Sequence, residues 1–322
     1  MAQVEKQPSP SRVVVALGGN AITGPGDDGS VTSDYLNLNR SLGAIVGLVK
    51  RGYEVILTHG NGPQVGNQMI RVEMARGLAP DLPLDVVVAD LQGGLGYMIE
   101  RVMRNRLTAE GLGRPLCALL TLVEVDPKDP ALEDPSKFVG PFFSEHEVET
   151  LRKERGWLMK ADGDRGWRRV VPSPMPISVI ESDVINRLVD DQVLVIVTGG
   201  GGVPVARTPE GGLRGVEAVV DKDLASQVLA GEIGAPQLFI LTGVEKVAIR
   251  FGTPDQQELD EVTASQMRRY LDEGHFPLGS MGPKVRAACR FVEKGGERAL
   301  ITGIFSLDKA LEGRTGTWIV PG

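Results

Sequence analysis

Histidine and cysteine are nearly missing from this chain, which has three of the first and two of the second in 322 residues. His59, His146 and His275 stand far apart and no CxxC spacing occurs, so the usual zinc-ligand patterns are excluded and no metal ligand is assigned. Cys117 and Cys289 lie in apolar stretches, which reads as reduced core cysteines of a cytoplasmic protein and not as a disulfide. Positive charge is short as well. Lysine and arginine number 35 against 42 acidic residues, giving a net charge of -7 and a pI near 5.2. With no basic block in the sequence, neither a nucleic acid nor a membrane surface is an expected partner. No stretch reaches the ~18 apolar residues of a membrane span. Residues 1–11 are polar, lack the apolar segment of a signal peptide, and read as a disordered leader. The GxxxxGK[ST] loop, a GxGxxG joined to a strand and its acidic residue, and the GxSxG elbow are all absent, which weakens P-loop, dinucleotide and serine-nucleophile chemistry.

Glycine, by contrast, is abundant, at 41 residues. This is about twice the usual ~7%. The glycines cluster after short apolar runs. Val13 to Leu17 stops at Gly18-Gly19-Asn20, Glu54 to Thr58 runs into His59-Gly60-Asn61-Gly62, and Val193 to Val197 leads to Thr198 and Gly199 to Gly202. Continuous β-branched runs suit strands of a parallel sheet covered on both faces. Helical spacing is expected over Tyr35 to Lys50, Val65 to Gly77, Val86 to Ala109, Asp223 to Ala230, Val262 to Glu273 and Pro283 to Lys294. Further strands are expected over Pro115 to Val125, Gln237 to Leu241 and Ala299 to Ile301. Residues 126–176 break this rhythm with Pro, Asp, Lys and Arg around Phe142, Trp157 and Trp167. They read as an inserted small lobe or lid with its own hairpins. The expected fold is an α/β, open three-layer αβα sandwich with a mainly parallel central sheet and a small inserted protruding subdomain.

In such sheets ligands bind beyond the carboxyl ends of the strands, where backbone N–H groups and helix N-termini favour anions. Any one glycine cluster could be only a tight turn; three in one chain favour phosphate binding. Lysines near glycine supply the cations. In Val220-Asp221-Lys222-Asp223 a lysine sits between carboxylates at a helix start, and in Gly279-Ser280-Met281-Gly282-Pro283-Lys284 a loop enters a helix with lysine in its first turn. Each alone could be a solvated charge. Together with the loops they provide what phosphoryl transfer needs, positioned cations where charge builds on the transferred group.

These segments, in this order, resemble the carbamate kinases of the amino-acid-kinase family. The resemblance rests on VVALGGNAI, LTHGNGPQVG, GYMIE, VDPKDPALEDPSKFVGPF, RGWRRVVPSPMP, GGGGVPV, GVEAVVDKDLAS, LTGVEKVAIRFG, GSMGPKV and GRTGT, and covers nearly the whole chain beyond the leader. It implies reversible transfer between carbamoyl phosphate and ADP, giving ATP and carbamate, usually in arginine catabolism. Magnesium on ADP or ATP and a homodimer are implied with it. It also implies a carbamoyl-phosphate lobe over residues 12–225, including the lid at 126–176, and a nucleotide lobe over 226–322. Gly18, Gly19, Asn20, Gly60, Asn61 and Gly62 would cradle the substrate phosphate. Lys222 and Lys284 would be the catalytic lysines, Asp223 their organising carboxylate, and Lys137 the lid lysine over carbamoyl phosphate. Gly200, Gly201, Thr242, Gly243, Val247, Met281 and Gly282 would face the nucleotide. A kinase of the same fold acting on another small carboxylate or carbamoyl compound is one alternative; Gly243, which departs from the family's usual aspartate, motivates a second, a non-catalytic carbamoyl-phosphate or nucleotide sensor.

Overall fold

A computed structural model describes residues 11–24, 26–277 and 279–322. The expected leader therefore lies outside the described residues except for Ser11. That residue is tied into the sheet: its carbonyl accepts from the Glu54 N–H at 3.2 Å and its hydroxyl from Gln237 Nε2 at 2.9 Å.

The β-branched runs form the middle of an eight-stranded sheet. Its order is Glu261–Thr263, Thr317–Val320, Arg298–Gly303, Gln237–Thr242, Arg12–Leu17, Glu54–His59, Leu194–Ile196 and Leu116–Ala118. Every neighbouring pair is parallel except Arg298–Gly303 with Thr317–Val320. Successive side chains of a strand point to opposite faces, and both faces are covered. Val13, Val15, Leu17, Val55, Leu57, Phe239 and Leu241 pack on one side with helices Val31–Lys50 and Leu84–Ala109. Val14, Ala16, Ile56, Leu238 and Ile240 pack on the other with helices Ser182–Asp190, Lys222–Glu232, Ala264–Asp272 and Met281–Glu293. The result is a three-layer αβα sandwich. Among the described residues no helix is long and apolar enough to cross a membrane. Cys289 is buried and Cys117 half-buried, both as free thiols.

One expected strand is corrected. Residues 115–125 form two short strands in different sheets: Leu116–Ala118 edges the main sheet, while Leu122–Val125 joins a second sheet with Leu213–Gly215, Val203–Arg207 and Pro176–Val179. The break falls at Thr121, whose N–H donates to the Gln92 side chain at 3.0 Å and whose C=O accepts both from Gln92 Nε2 and from the Val203 N–H of the second sheet at 2.9 Å. Val262 and Thr263, expected in a helix, belong instead to the edge strand Glu261–Thr263, whose last residue caps the helix Ala264–Asp272.

The insertion is a small unit with its own core. Strands Lys137–Phe143, Trp167–Val171 and Met159–Ala161 pair antiparallel, and helix Glu145–Arg155 packs Val148 against Trp157 and Met159. That helix was not expected, although its signals are plain: a Ser144/Glu147 capping box, acidic residues in its first turn, basic ones in its last, and left-handed Gly156 at its end.

Candidate active site

Because Gln237–Thr242, Arg12–Leu17, Glu54–His59 and Leu194–Ile196 are parallel neighbours, their carboxyl ends open on the same edge. All three glycine clusters therefore meet there. The strand ends are stitched together: Gly18 N–H donates to Leu241 C=O at 3.0 Å, Gly60 N–H to Leu17 C=O at 3.2 Å, and Val197 N–H to Leu57 C=O at 2.8 Å. Gly18 leads into the turn Gly19–Ala21, which includes Asn20, and Asn61 and Gly62 open the helix Gly62–Met74. Pro63 in its first turn suits a helix start, since its missing N–H costs no hydrogen bond there. A Cβ placed on Gly60 would stand 3.2 Å from Lys222 Cδ and 3.6 Å from Gly19 N, so the first two glycine loops converge near that lysine.

Lys222 is the first residue of a helix that starts where Asp221 accepts from the N–H groups of Asp223 at 3.0 Å and Leu224 at 3.4 Å. This N-cap aims the positive end of the helix dipole at the cluster. Asp223 then receives two ammonium groups, Lys222 on one carboxylate oxygen and Lys284 on the other at 3.1 Å. Lys284 arrives from the first turn of Met281–Glu293. Lys137, from the inserted unit, donates to Asp221 at 2.5 Å. Thus three lysines from three separate parts of the chain share two carboxylates.

Burial sets the electrostatics. Asp223 is 2% exposed. Burial alone would raise its carboxyl pKa, but the Lys222 and Lys284 ammonium groups hold it below the ordinary carboxylate range. Burial pushes Lys222 down, against the opposing pull of Asp223. Lys284, also penalised by burial, is raised by Asp223 and Asp221. His59 is neutral at physiological pH, because burial, with Lys222 adding to it, lowers its pKa to about 4.

The four-glycine run lies deepest of the three clusters. Gly199, Gly200 and Gly201 are buried. A Cβ on Gly199 would lie 2.5 Å from His59 Nε2, one on Gly200 would overlap the Asn61 amide, and one on Gly201 would overlap the Val220 carbonyl. Gly200 also has a φ of 66°, which an L side chain rarely adopts. Gly200 and Gly201 thus pack under Asn61 and the turn before Asp221. Asn61 is buried, and its Nδ2 has no partner among the described residues.

Of the other residues expected at the nucleotide, Val247 is fully buried in a hairpin, its N–H donating to Thr317 Oγ1 at 2.9 Å. Thr242 is half-buried and Gly243 exposed, just beyond the strand next to Gly18. Met281 and Gly282 share a helical turn with Lys284.

The amino acid kinase family model matches residues 11–303. The chain belongs to the amino acid kinase family. A carbamate kinase of Pyrococcus furiosus is 46% identical over 312 residues, spanning 96% of this chain and 99% of that protein. A carbamate kinase-like protein of Escherichia coli is 46% identical over 313 residues, spanning 96% and 98%. The structure of a carbamate kinase from Giardia lamblia bound to citric acid matches with a TM-score of 0.93 at 39% identity, over 98% of this chain and 99% of that one. The same Giardia enzyme bound to AMP-PNP matches at 0.89 and 40% identity, with the same coverage.

In this amino acid kinase three supports escaped the sequence reading. Gln92 and Thr121 bond each other, and Thr121 Oγ1 accepts from the Thr198 N–H at 2.7 Å, fixing the left-handed Thr198 that starts the glycine turn. Glu245 accepts from Ser306 at 2.7 Å and Thr315 at 3.3 Å, while its carbonyl accepts from Thr302 at 3.1 Å, clamping the loop that carries Gly243. Arg168 bonds within the inserted unit. Contacts across the fold, and not a local pattern, give these residues their supporting roles.

Proposed function

We propose that this amino acid kinase is a carbamate kinase, moving a phosphoryl group reversibly between carbamoyl phosphate and ADP to give ATP and carbamate. The observation that carries the reading is the cluster of Lys137, Lys222 and Lys284 on Asp221 and Asp223 at the carboxyl edge of the sheet. Full-length similarity to carbamate kinases supplies the substrate.

Three ammonium groups against two carboxylates leave one net positive charge in a partly dry site. Carbamoyl phosphate is a reactive mixed anhydride, so the enzyme needs alignment, neutralisation of anion repulsion and exclusion of water more than bond activation. On this reading Lys222 and Lys284 neutralise the transferring group, Asp223 holds them apart and charged, and Lys137 covers carbamoyl phosphate. Gly18, Gly19, Asn20, Gly60, Asn61 and Gly62 cradle the phosphate through backbone N–H groups, and the unpartnered Asn61 amide suits a ligand oxygen. Thr242, Gly243, Met281 and Gly282 face ADP, while Gly200 and Gly201 act from beneath the cradle. Residues 12–225 then form the carbamoyl-phosphate lobe and 226–322 the nucleotide lobe.

Magnesium enters as part of the nucleotide. Among the described residues no cluster of three His, Cys, Asp or Glu side chains could hold a metal, and both site carboxylates are engaged by lysines. That donor set fits an ion carried mainly by phosphates, the usual habit of Mg2+. We further place the protein in the cytoplasm as a homodimer. Exposed Tyr97 and Leu120, beside the edge strand Leu116–Ala118, support a contact there.

The test is ATP formation from Mg-ADP and carbamoyl phosphate, run beside acetyl phosphate. No ATP above the spontaneous rate would sink the reading in favour of a sensor, and preference for another acyl phosphate would shift it to a different small acid. Lys222→Ala and Lys284→Ala are each expected to lower turnover by ~10²–10³. Near-normal turnover in both would remove the lysine assignment.

A further inference from the structure

The strand that bears Lys137 is irregular. Lys137, Phe138 and Val139 pair with Val171, Val170 and Arg169, and Phe143 pairs with Trp167, so Gly140, Pro141 and Phe142 together face Arg168 alone. A bulge of this kind disrupts the ladder and bends the strand. Arg168 supplies a replacement partner, its Nε donating to the Gly140 carbonyl at 3.0 Å. The guanidinium is held in turn by Asp162 at 3.3 Å and lies 5.8 and 5.1 Å from the ring centres of Phe138 and Phe142.

The other side of the bulge rests on a helix of the main body. Gly140 has a φ of 75°, and a Cβ on Gly66 would overlap its Cα, so the two backbones touch directly. That helix, Gly62–Met74, begins at the Asn61-Gly62 turn of the phosphate cradle. Backbone contact on one side and a guanidinium on the other thus fix the bulge relative to the cradle. Three residues before it, Lys137 meets Asp221, and the Phe138 ring lies 3.8 Å from where a Gly279 Cβ would stand, beside the loop leading to Lys284.

We propose that Arg168 is a positioning residue for the carbamoyl-phosphate side of the reaction: by bracing the Gly140–Phe142 bulge it sets where the Lys137 ammonium stands. It touches neither substrate. The proposal rests on the reading of Lys137 as a contact to carbamoyl phosphate.

The experiment compares Lys137→Ala, Arg168→Gln, Arg168→Lys and the Lys137→Ala/Arg168→Gln pair, measuring kcat and both KM values, with thermal melts to verify folding. Arg168→Gln is expected to raise the KM for carbamoyl phosphate about tenfold, the scale of one charge-assisted hydrogen bond. Its kcat and its KM for ADP should stay within about twofold. Arg168→Lys, which keeps a donor for Gly140, should recover most of the loss, and in the Lys137→Ala background Arg168→Gln should add less than about twofold. If Arg168→Gln does not fold, Gly66→Ala displaces the same bulge from the helix side and should raise the same KM, again with little effect once Lys137 is gone. An unchanged KM, an equal effect on ADP, or effects that multiply in full with Lys137→Ala would overturn the proposal. A silent Lys137→Ala beside an effective Arg168→Gln would overturn the reading of Lys137, and the proposal with it.

Discussion

Replacing Asp223 by asparagine removes one charge and little volume, and the geometry around it sets the size of the effect. Both carboxylate oxygens are occupied by buried or nearly buried ammonium groups, Lys222 and Lys284. Without the carboxylate those cations face each other across roughly 5 Å, which at an effective dielectric near 20 is a repulsion of about 3 kcal/mol. Stripping one partner from a buried ion pair typically costs ~3–5 kcal/mol, so the melting temperature should fall on the order of 10 °C. Lys222, already pushed down by burial, loses its chief electrostatic support and sheds its proton more readily. Turnover at neutral pH should therefore drop by ~10²–10³. What activity remains should climb as pH falls, because protonation restores the ammonium. ATP should raise the melting temperature of Asp223→Asn more than that of the parent, since phosphate takes the place of the missing carboxylate. The assays are coupled ATP formation between pH 5.5 and 9 and thermal melts with and without ATP. A variant that melts within about 2 °C of the parent and turns over within about threefold, with an unaltered pH profile, would refute this account of the lysine pair.

Two further outcomes follow from packing and burial. Gly200→Ala drives a methyl group into the Asn61 amide at a left-handed backbone position, so it should cost ~1–3 kcal/mol and raise the KM for carbamoyl phosphate; a selective rise in the KM for ADP would return Gly200 to the nucleotide side. His59 has a folded-state pKa of about 4 against an ordinary value of 6.5. The unfolded chain thus binds its proton first, and stability should decline by roughly 3 kcal/mol as pH falls from about 6.5 to 4. Urea titrations across that range should show a shallower decline in His59→Gln, and an identical slope would count against the burial argument.

How much of this was legible in the residues varies along the chain. The central strands were plain because Val13 to Leu17 and Leu238 to Leu241 are apolar on both faces, as suits a covered parallel sheet. Lys222, Asp223 and Lys284 stood out because each lies beside glycine or a helix start, where local sequence carries the signal. The break at Thr121 did not, since Gln92 lies on a distant helix and nothing near residue 121 announces the bond. The helix Glu145–Arg155 is a different failure: its capping box and Gly156 were readable but were masked by the charged, proline-rich stretch around it.

By itself, then, the order of strands, glycine turns and lysines determined that this is an α/β protein with glycine turns at the carboxyl edge of a parallel sheet, because hydrophobic period and turn chemistry act over a few residues. Only the tertiary structure decided that Lys137, Lys222 and Lys284 share Asp221 and Asp223, that Gly200 packs under Asn61, and that Arg168 braces the strand bearing Lys137. These are contacts between segments tens of residues apart. Their partners are chosen by strand order, helix docking and burial, none of which is encoded in any short stretch of the chain.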